Sequence, residues 1–491
     1  MTVAEPEVRL AAGVLRGRVE SGVVVFRGIP FAEPPARFAA PEPVPGWDGT
    51  RDAVAYGPPP PQSGVFGMDA FAESAQGWLT VNVWTRDPAA TLPVMVWIQG
   101  GGYMFGRSGL PEYDGGTLAR DGGVVVVTFN YRVGIEGFAQ IEGAPANRGL
   151  LDQVAALEWV RENISAFGGD PSQVTVFGQS AGGGSVAALL AMPRAVGLFR
   201  RAIVQSMPIV FFTPELAADI AGAIAAELGL RPTDLATVAP GALPAVGDAV
   251  MAKIGRFADR WGLAAHRRVP LGPVVDGSIL PTDPWQALAE GAARDVDLIV
   301  GHVRHEQRLF ALIDGNLGQI TDEQAETALT LFAPGPDGAA QYRAAGDGPE
   351  EWYDQVHSDW LFRMPSLHLA EAHTGRVYVY ELTWHAPGMG GVLGACHGLD
   401  VPLVFGNLTS GQPAMLLGDD LTEAEIVSAQ MRGSWTKFAT DGDPGWPPYD
   451  RERRPTRVFD TTPAVVAYPE EMSRRIWQDH IFSPLPLITR T

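Results

Sequence analysis

Ser180 lies at the centre of Gly178-Gln179-Ser180-Ala181-Gly182. A serine hydroxyl is a weak nucleophile unless a neighbouring base takes its proton, so a reactive serine needs a turn that exposes Oγ. Glycines two before and two after it relieve crowding at such a turn. In a chain with 58 glycines the five-residue pattern arises easily by chance, so its surroundings carry the inference. The β-branched run Val174–Phe177 leads into the motif, and the small-residue stretch Ser185–Ala191 leads out of it with helical character. Strand, sharp turn and helix leave Oγ at the strand's C-terminal end, while the helix N-terminus offers partial positive charge to a developing oxyanion. The competing reading is a glycine-rich turn with no chemistry.

A second chemical signal is Gln99-Gly100-Gly101-Gly102, at the end of the apolar run Pro93–Ile98. Consecutive glycines let backbone N–H groups approach a ligand without interference from Cβ. Beside a nucleophile elbow, such a loop supplies oxyanion donors together with the N–H that follows the serine, here Ala181. A dinucleotide loop is excluded by spacing, because the third glycine it needs would fall at Phe105.

The elbow setting orders the remaining partners as acid, then histidine, after the serine. His385 and His397 both follow the apolar run Val377–Leu382, where a base would stand over a sheet. His397 sits in the flexible Gly394-Ala395-Cys396-His397-Gly398, and spacing favours it only mildly. Glu306, just beyond the run Asp297–Val300, is favoured as the acid. Its rival is Asp276 in Pro273-Val274-Val275-Asp276-Gly277, a residue also suited to forming a turn.

The elements that must hold these groups are legible as short, continuously apolar runs at Pro93–Ile98, Gly123–Phe129, Val174–Phe177, Arg201–Val204, Asp297–Val300 and Val377–Leu382. Such runs suit strands buried on both faces of a parallel sheet. Between them, Leu150, Val154, Leu157 and Ile164 recur at helical spacing, with Asp152, Glu158 and Arg161 expected to face solvent. Strand alternating with helix predicts an α/β fold with a large, mostly parallel sheet. The first 30 residues alternate around Gly13, Gly17 and Gly22 and predict antiparallel hairpins. Gly57–Gln62 and the Gly/Pro/Asp-rich Pro334–Glu350 are expected to be loops. Composition shifts across neither of them, so residues 1–491 are expected to form one domain.

Bulk composition excludes several functions. The 491 residues are 46% hydrophobic and 19% charged, with a net charge of −20. So acidic a surface repels nucleic acid and anionic lipid, which require clustered Lys and Arg. Cys396 is the only cysteine, so neither an intramolecular disulfide nor a multi-thiolate metal site is expected. The start MTVAEPEVRLAAG has no signal-peptide pattern, and no apolar run approaches the roughly 18–20 residues that span a bilayer. A cytoplasmic protein is expected, with no nucleic-acid or membrane partner. The sequence specifies no oligomeric state.

Taken together, these residues resemble the type-B carboxylesterase family, which includes the cholinesterases and the bacterial para-nitrobenzyl esterases. The resemblance runs nearly end to end. It is carried in order by Phe26–Pro35 (FRGIPFAEPP), Leu79–Thr85 (LTVNVWT), Phe129–Phe138 (FNYRVGIEGF) and Asn147–Pro171, then by Gly197–Ser206 (GLFRRAIVQS), Pro273–Gly277 (PVVDG), His397–Asn407 (HGLDVPLVFGN) and Trp435–Pro444 (WTKFATDGDP). It implies the α/β-hydrolase fold and a serine carboxylesterase that needs no cofactor or metal and acts on a small-molecule ester. Matched residue by residue, it implies Ser180 as nucleophile, Glu306 as acid, His397 as base, and Gly101, Gly102 and Ala181 as oxyanion donors. Asp276 and His385 lose by the same match.

Four positions depart from the family pattern. Gln179 stands where Glu usually precedes the nucleophile, and Gln99 where His commonly precedes the glycines. Gln307 replaces the glycine after the acid, and Trp78 replaces a cysteine, so that family disulfide is absent. A pocket is expected around Tyr103, Met104 and Phe105 beside the oxyanion loop, Gln179 beside the nucleophile, and Met207 through Phe212 (including Phe211). Two other readings use the same resemblance. One is a carbamate or amide hydrolase with the same triad. The other is a non-catalytic, cholinesterase-like binding protein, which the intact Ser180, Glu306 and His397 argue against.

Overall fold

A computed structural model describes residues 5–64, 76–266 and 269–489. Its centre is an 11-stranded sheet. The order across it is Ala464–Ala467, Pro455–Phe459, Val377–Leu382, Asp297–Val303, Arg201–Gln205, Gly169–Gln179, Leu92–Ile98, Val125–Phe129, Thr80–Thr85, Val23–Pro30 and Arg18–Glu20. Strands from Val125–Phe129 across to Pro455–Phe459 run parallel, and the outer strands at both ends are antiparallel. The fold is the expected α/β-hydrolase type with N-terminal antiparallel hairpins.

Successive side chains of a strand point to opposite faces, and the core divides accordingly. Val94, Val96 and Ile98 lie in one apolar cluster with Val176, Val204 and Val300. Met95 and Trp97 lie in the other with Phe177, Ile203 and Ile299. Helices Arg148–Asn163 and Ala181–Ala191 cover the first face through Leu150, Val154, Leu157 and Val186. Helix Thr422–Asp441 covers the second through Val427, Met431, Trp435 and Phe438. Coverage on both sides is why these strands read as continuous apolar runs.

Three expectations need correction. Asp152, expected to face solvent, is fully buried, whereas Glu158 and Arg161 are exposed. Gly338–Ala345, within the expected loop Pro334–Glu350, is a helix. The strand expected from Gly123 begins at Val125, because Gly123 adopts a left-handed φ of 64° and ends the helix Gly116–Gly122. Among the described residues, no helix is long and apolar enough to cross a membrane.

Asp152 is buried because Arg132 comes to meet it. Its Oδ1 accepts from Arg132 Nη2 at 2.7 Å, and its Oδ2 accepts from Nε at 2.8 Å and from the Arg132 backbone N–H at 2.9 Å. Neighbouring Tyr131 donates its hydroxyl to the Gln99 carbonyl at 2.7 Å, so this ion pair underpins the glycine loop. Asp152→Ala would leave a buried guanidinium unpaired. It is expected to cost about 3–5 kcal/mol, measured as a lower urea midpoint with unchanged slope.

Candidate active site

Strand Gly169–Gln179 ends one residue before Ser180, and helix Ala181–Ala191 begins one residue after it. Ser180 has φ 58° and ψ −126°, a conformation that costs a non-glycine residue energy and persists only where its surroundings hold it. Two backbone bonds do so. Ser180 N–H donates to the Gln205 carbonyl at 2.9 Å, and the Ser180 carbonyl accepts from Gly184 N–H at 2.9 Å. The flanking glycines are sterically required. A Cβ on Gly182 would stand 2.0 Å from the Ile98 carbonyl oxygen, and one on Gly178 would stand 2.6 Å from the Gly182 carbonyl group. At a helix start the first N–H groups lack intrahelical acceptors, which leaves that of Ala181 aimed outward.

The glycine loop lies alongside. A Cβ on Gly100 would be 3.3 Å from Ser180 Cβ and 2.8 Å from the Gln179 carbonyl oxygen, so the loop backbone can pass Ser180 only without side chains. Gly101 and Gly102 turn with φ 106° and 60°. Besides the Tyr131 bond, the loop is fixed at Gly106, whose N–H donates to Gln62 Oε1 at 2.7 Å, and at Tyr103, whose carbonyl accepts from Gly134 N–H at 2.7 Å. Gln62 and Tyr131 were not singled out by sequence. Their roles depend on contacts made across distant segments.

Glu306 and His397 meet across two turns that pair with each other. His305 N–H donates to the Ala395 carbonyl at 2.9 Å, and Ala395 N–H donates to His305 Nδ1 at 3.2 Å. This pairing sets His397 Nδ1 2.5 Å from Glu306 Oε2, while Glu306 Oε1 accepts from Val303 N–H at 3.1 Å. Glu306 is fully buried, and His397 is 6% exposed. The rings of Phe362 and Phe310 stand 4.2 and 5.2 Å from the imidazole, centre to centre. On its other edge, His397 Nε2 lies 3.1 Å from the side-chain nitrogen of Gln179, and Ser180 Oγ has no hydrogen-bond partner among the described residues. Burial pushes the adjacent Cys396 thiol up to about 12, so it stays protonated and is no rival nucleophile.

The rivals lie elsewhere. Asp276 Oδ1 accepts from the Ser278 and Leu280 backbones at 3.0 and 2.9 Å, an ordinary turn. His385 is exposed and packs against the His305 ring at 4.9 Å. Of the expected pocket residues, Tyr103, Met207 and Phe211 are fully buried, Phe211 against Trp285, while Phe105 is half-buried and Gln179 touches the imidazole.

A buried residue that the sequence did not mark also bears on the site. Asp400, three positions after His397, accepts at Oδ2 from Gln205 Nε2 at 2.8 Å and from the Tyr380 hydroxyl at 3.2 Å. Burial pushes its carboxyl up to about 6. Since Gln205 also receives the Ser180 N–H through its carbonyl, one residue ties the elbow to the helix that follows His397. Among the described residues, no cluster of three or more His, Cys, Asp or Glu is placed to hold a metal ion.

Residues 4–477 match the family model described as the carboxylesterase family. The chain is 38% identical over 486 residues to a para-nitrobenzyl esterase of Bacillus subtilis, covering 94% of this chain and 96% of that one. It is 35% identical to a phenmedipham hydrolase of Pseudarthrobacter oxydans, covering 90% and 91%. Among solved structures, a Geobacillus stearothermophilus carboxylesterase superimposes with a TM-score of 0.85 at 33% identity, over 96% of this chain and 100% of that one.

Proposed function

The chain belongs to the carboxylesterase family, and from that premise we propose that Ser180 is its acylated nucleophile, His397 its general base and Glu306 the carboxylate orienting the base. The protein is a carboxylic ester hydrolase. The observation carrying the residue assignment is the 2.5 Å approach of Glu306 to His397 Nδ1, on the far side of the ring from the nucleophile elbow. A carboxylate can only accept, so it fixes the proton on Nδ1 and leaves the Nε2 lone pair for the serine proton.

Ser180 Oγ attacks the ester carbonyl carbon as its proton passes to His397 Nε2. The carbonyl electrons move to oxygen, where the Gly101, Gly102 and Ala181 N–H groups meet the new charge, each worth about 3–4 kcal/mol. The intermediate collapses, the C–O bond to the alcohol breaks, and the imidazolium returns its proton to the leaving oxygen. Water then repeats the sequence on the acyl-enzyme, releasing the acid and restoring Ser180. Phe105 and Gln179 border the reacting atoms and line the approach.

A fluorophosphonate probe tests the assignment. Labelling is expected on the peptide carrying Ser180, and labelling elsewhere would overturn it. Carbamate or amide hydrolysis by the same groups is the second reading, motivated by the relative named as a phenmedipham hydrolase. A panel of p-nitrophenyl esters, carbamates and anilides separates the two, with the esters expected to turn over fastest.

A further inference from the structure

Gln179 occupies an unusual place for a residue outside the triad. Its backbone ends the strand that delivers Ser180, and its side chain spans the site. The amide nitrogen stands 3.1 Å from His397 Nε2, and Oε1 points toward the glycine loop, 3.5 Å from where a Cβ on Gly100 would lie. With Glu306 accepting at Nδ1, the neutral ring carries its proton there and presents a lone pair at Nε2. The nitrogen of a neutral amide is a donor only, so the contact is an N–H of Gln179 donating to that lone pair. This is the lone pair that must receive the Ser180 proton.

We propose that Gln179 is a positioning residue that caps His397 Nε2 in the resting enzyme, favours the uncharged imidazole, and gives way when the Ser180 proton arrives. The proposal rests on the reading of His397 as the base. The other groups facing this imidazole are accounted for. Glu306 lies at Nδ1 on the turn after Asp297–Val303, and Asp400 lies on the helix that follows. Cys396 is a buried thiol, and Phe310 and Phe362 supply uncharged ring faces. Both carboxyl groups favour imidazolium, so among the groups that touch the ring, Gln179 is the one whose hydrogen bond favours the neutral form.

Gln179→Glu reverses that preference without changing size. A carboxylate cannot donate to the lone pair, and it attracts a protonated ring. The imidazolium is stabilised, its pKa rises, and the base stays protonated up to higher pH. The acidic limb of the kcat/KM profile is therefore expected to move upward by ~1–2 pH units. Gln179→Met, which neither donates nor brings charge, is expected to move it less than half as far.

The experiment compares the three profiles at constant ionic strength, alongside fluorophosphonate labelling of each protein. Superimposable limbs in wild type and Gln179→Glu, or no shift at all in Gln179→Met, would overturn the cap. Loss of Ser180 labelling in the wild type would instead overturn the triad reading, so the two failures are distinguishable. If Gln179→Glu does not fold, nitrogen NMR of histidine-labelled wild type and Gln179→Met decides the matter. The Nε2 resonance of neutral His397 is expected to move downfield when its donor is removed, and an unchanged resonance would overturn the cap.

Discussion

Ser180→Ala is expected to lower kcat by roughly 10⁴–10⁶-fold, because on the proposed assignment it removes the covalent route that the base and acid serve. The activity left would come from the oxyanion donors and binding alone. The same substitution is expected to leave stability within about 0.5 kcal/mol of wild type. Two features of the elbow support that. Ser180 Oγ has no hydrogen-bond partner among the described residues, so deleting it strands no buried group. The strained φ of 58° burdens alanine as much as serine, and the backbone bonds to Gln205 and Gly184 that hold it remain. Thermal unfolding with active-site kinetics checks both halves together. Wild-type hydrolysis by a folded Ser180→Ala protein would sink the nucleophile assignment. A large loss of stability would instead show that Oγ has a structural role.

The central strands were legible because burial on both faces demands uninterrupted apolar runs, and the run Val377–Leu382 matches the observed strand end to end. Outer strands do not obey that demand. Ala464–Ala467 is exposed along its whole length, and Pro455–Phe459 begins on a proline, so neither stands out from a loop. Helix Gly338–Ala345 reads as a loop from its glycine and neighbouring proline. It is held by tertiary contacts: buried Tyr342 donates to Asp359 Oδ2 at 2.5 Å and receives Trp477 Nε1–H at 2.6 Å. Asp152 hid for the same reason. A carboxylate in a helical pattern reads as a solvent face, and the arginine that draws it inward lies 20 positions away.

The elbow and the glycine loop were visible because their chemistry is local: a turn that admits only glycine announces itself in a few residues. The base was not. His385 and His397 follow the same strand, and order along the chain cannot separate them. The proposed choice of His397 rests on the pairing of His305 with Ala395, a contact between segments 90 residues apart. Only resemblance to a family could anticipate it.

That ambiguity defines the second large effect. His397→Ala is expected to reduce kcat/KM by an amount comparable to Ser180→Ala, since groups that act as a unit fail together. Unlike the serine change, it is expected to destabilise the fold. Glu306 is fully buried and would keep only the Val303 N–H on Oε1, while Oε2 would lose its partner. Leaving a buried carboxylate oxygen without its hydrogen-bond donor costs about 1–3 kcal/mol, which shows as a fall in Tm absent from Ser180→Ala. His385→Ala removes an exposed ring that touches only the edge of His305, and is expected to keep activity within about threefold of wild type, a change of under 1 kcal/mol. Kinetics and thermal melts of the three variants give the full pattern. A dead His385→Ala beside an active His397→Ala would mean that the base sits on the wrong turn. An inactive His397→Ala with unchanged Tm would mean that Glu306 does not depend on the imidazole as a hydrogen-bond donor.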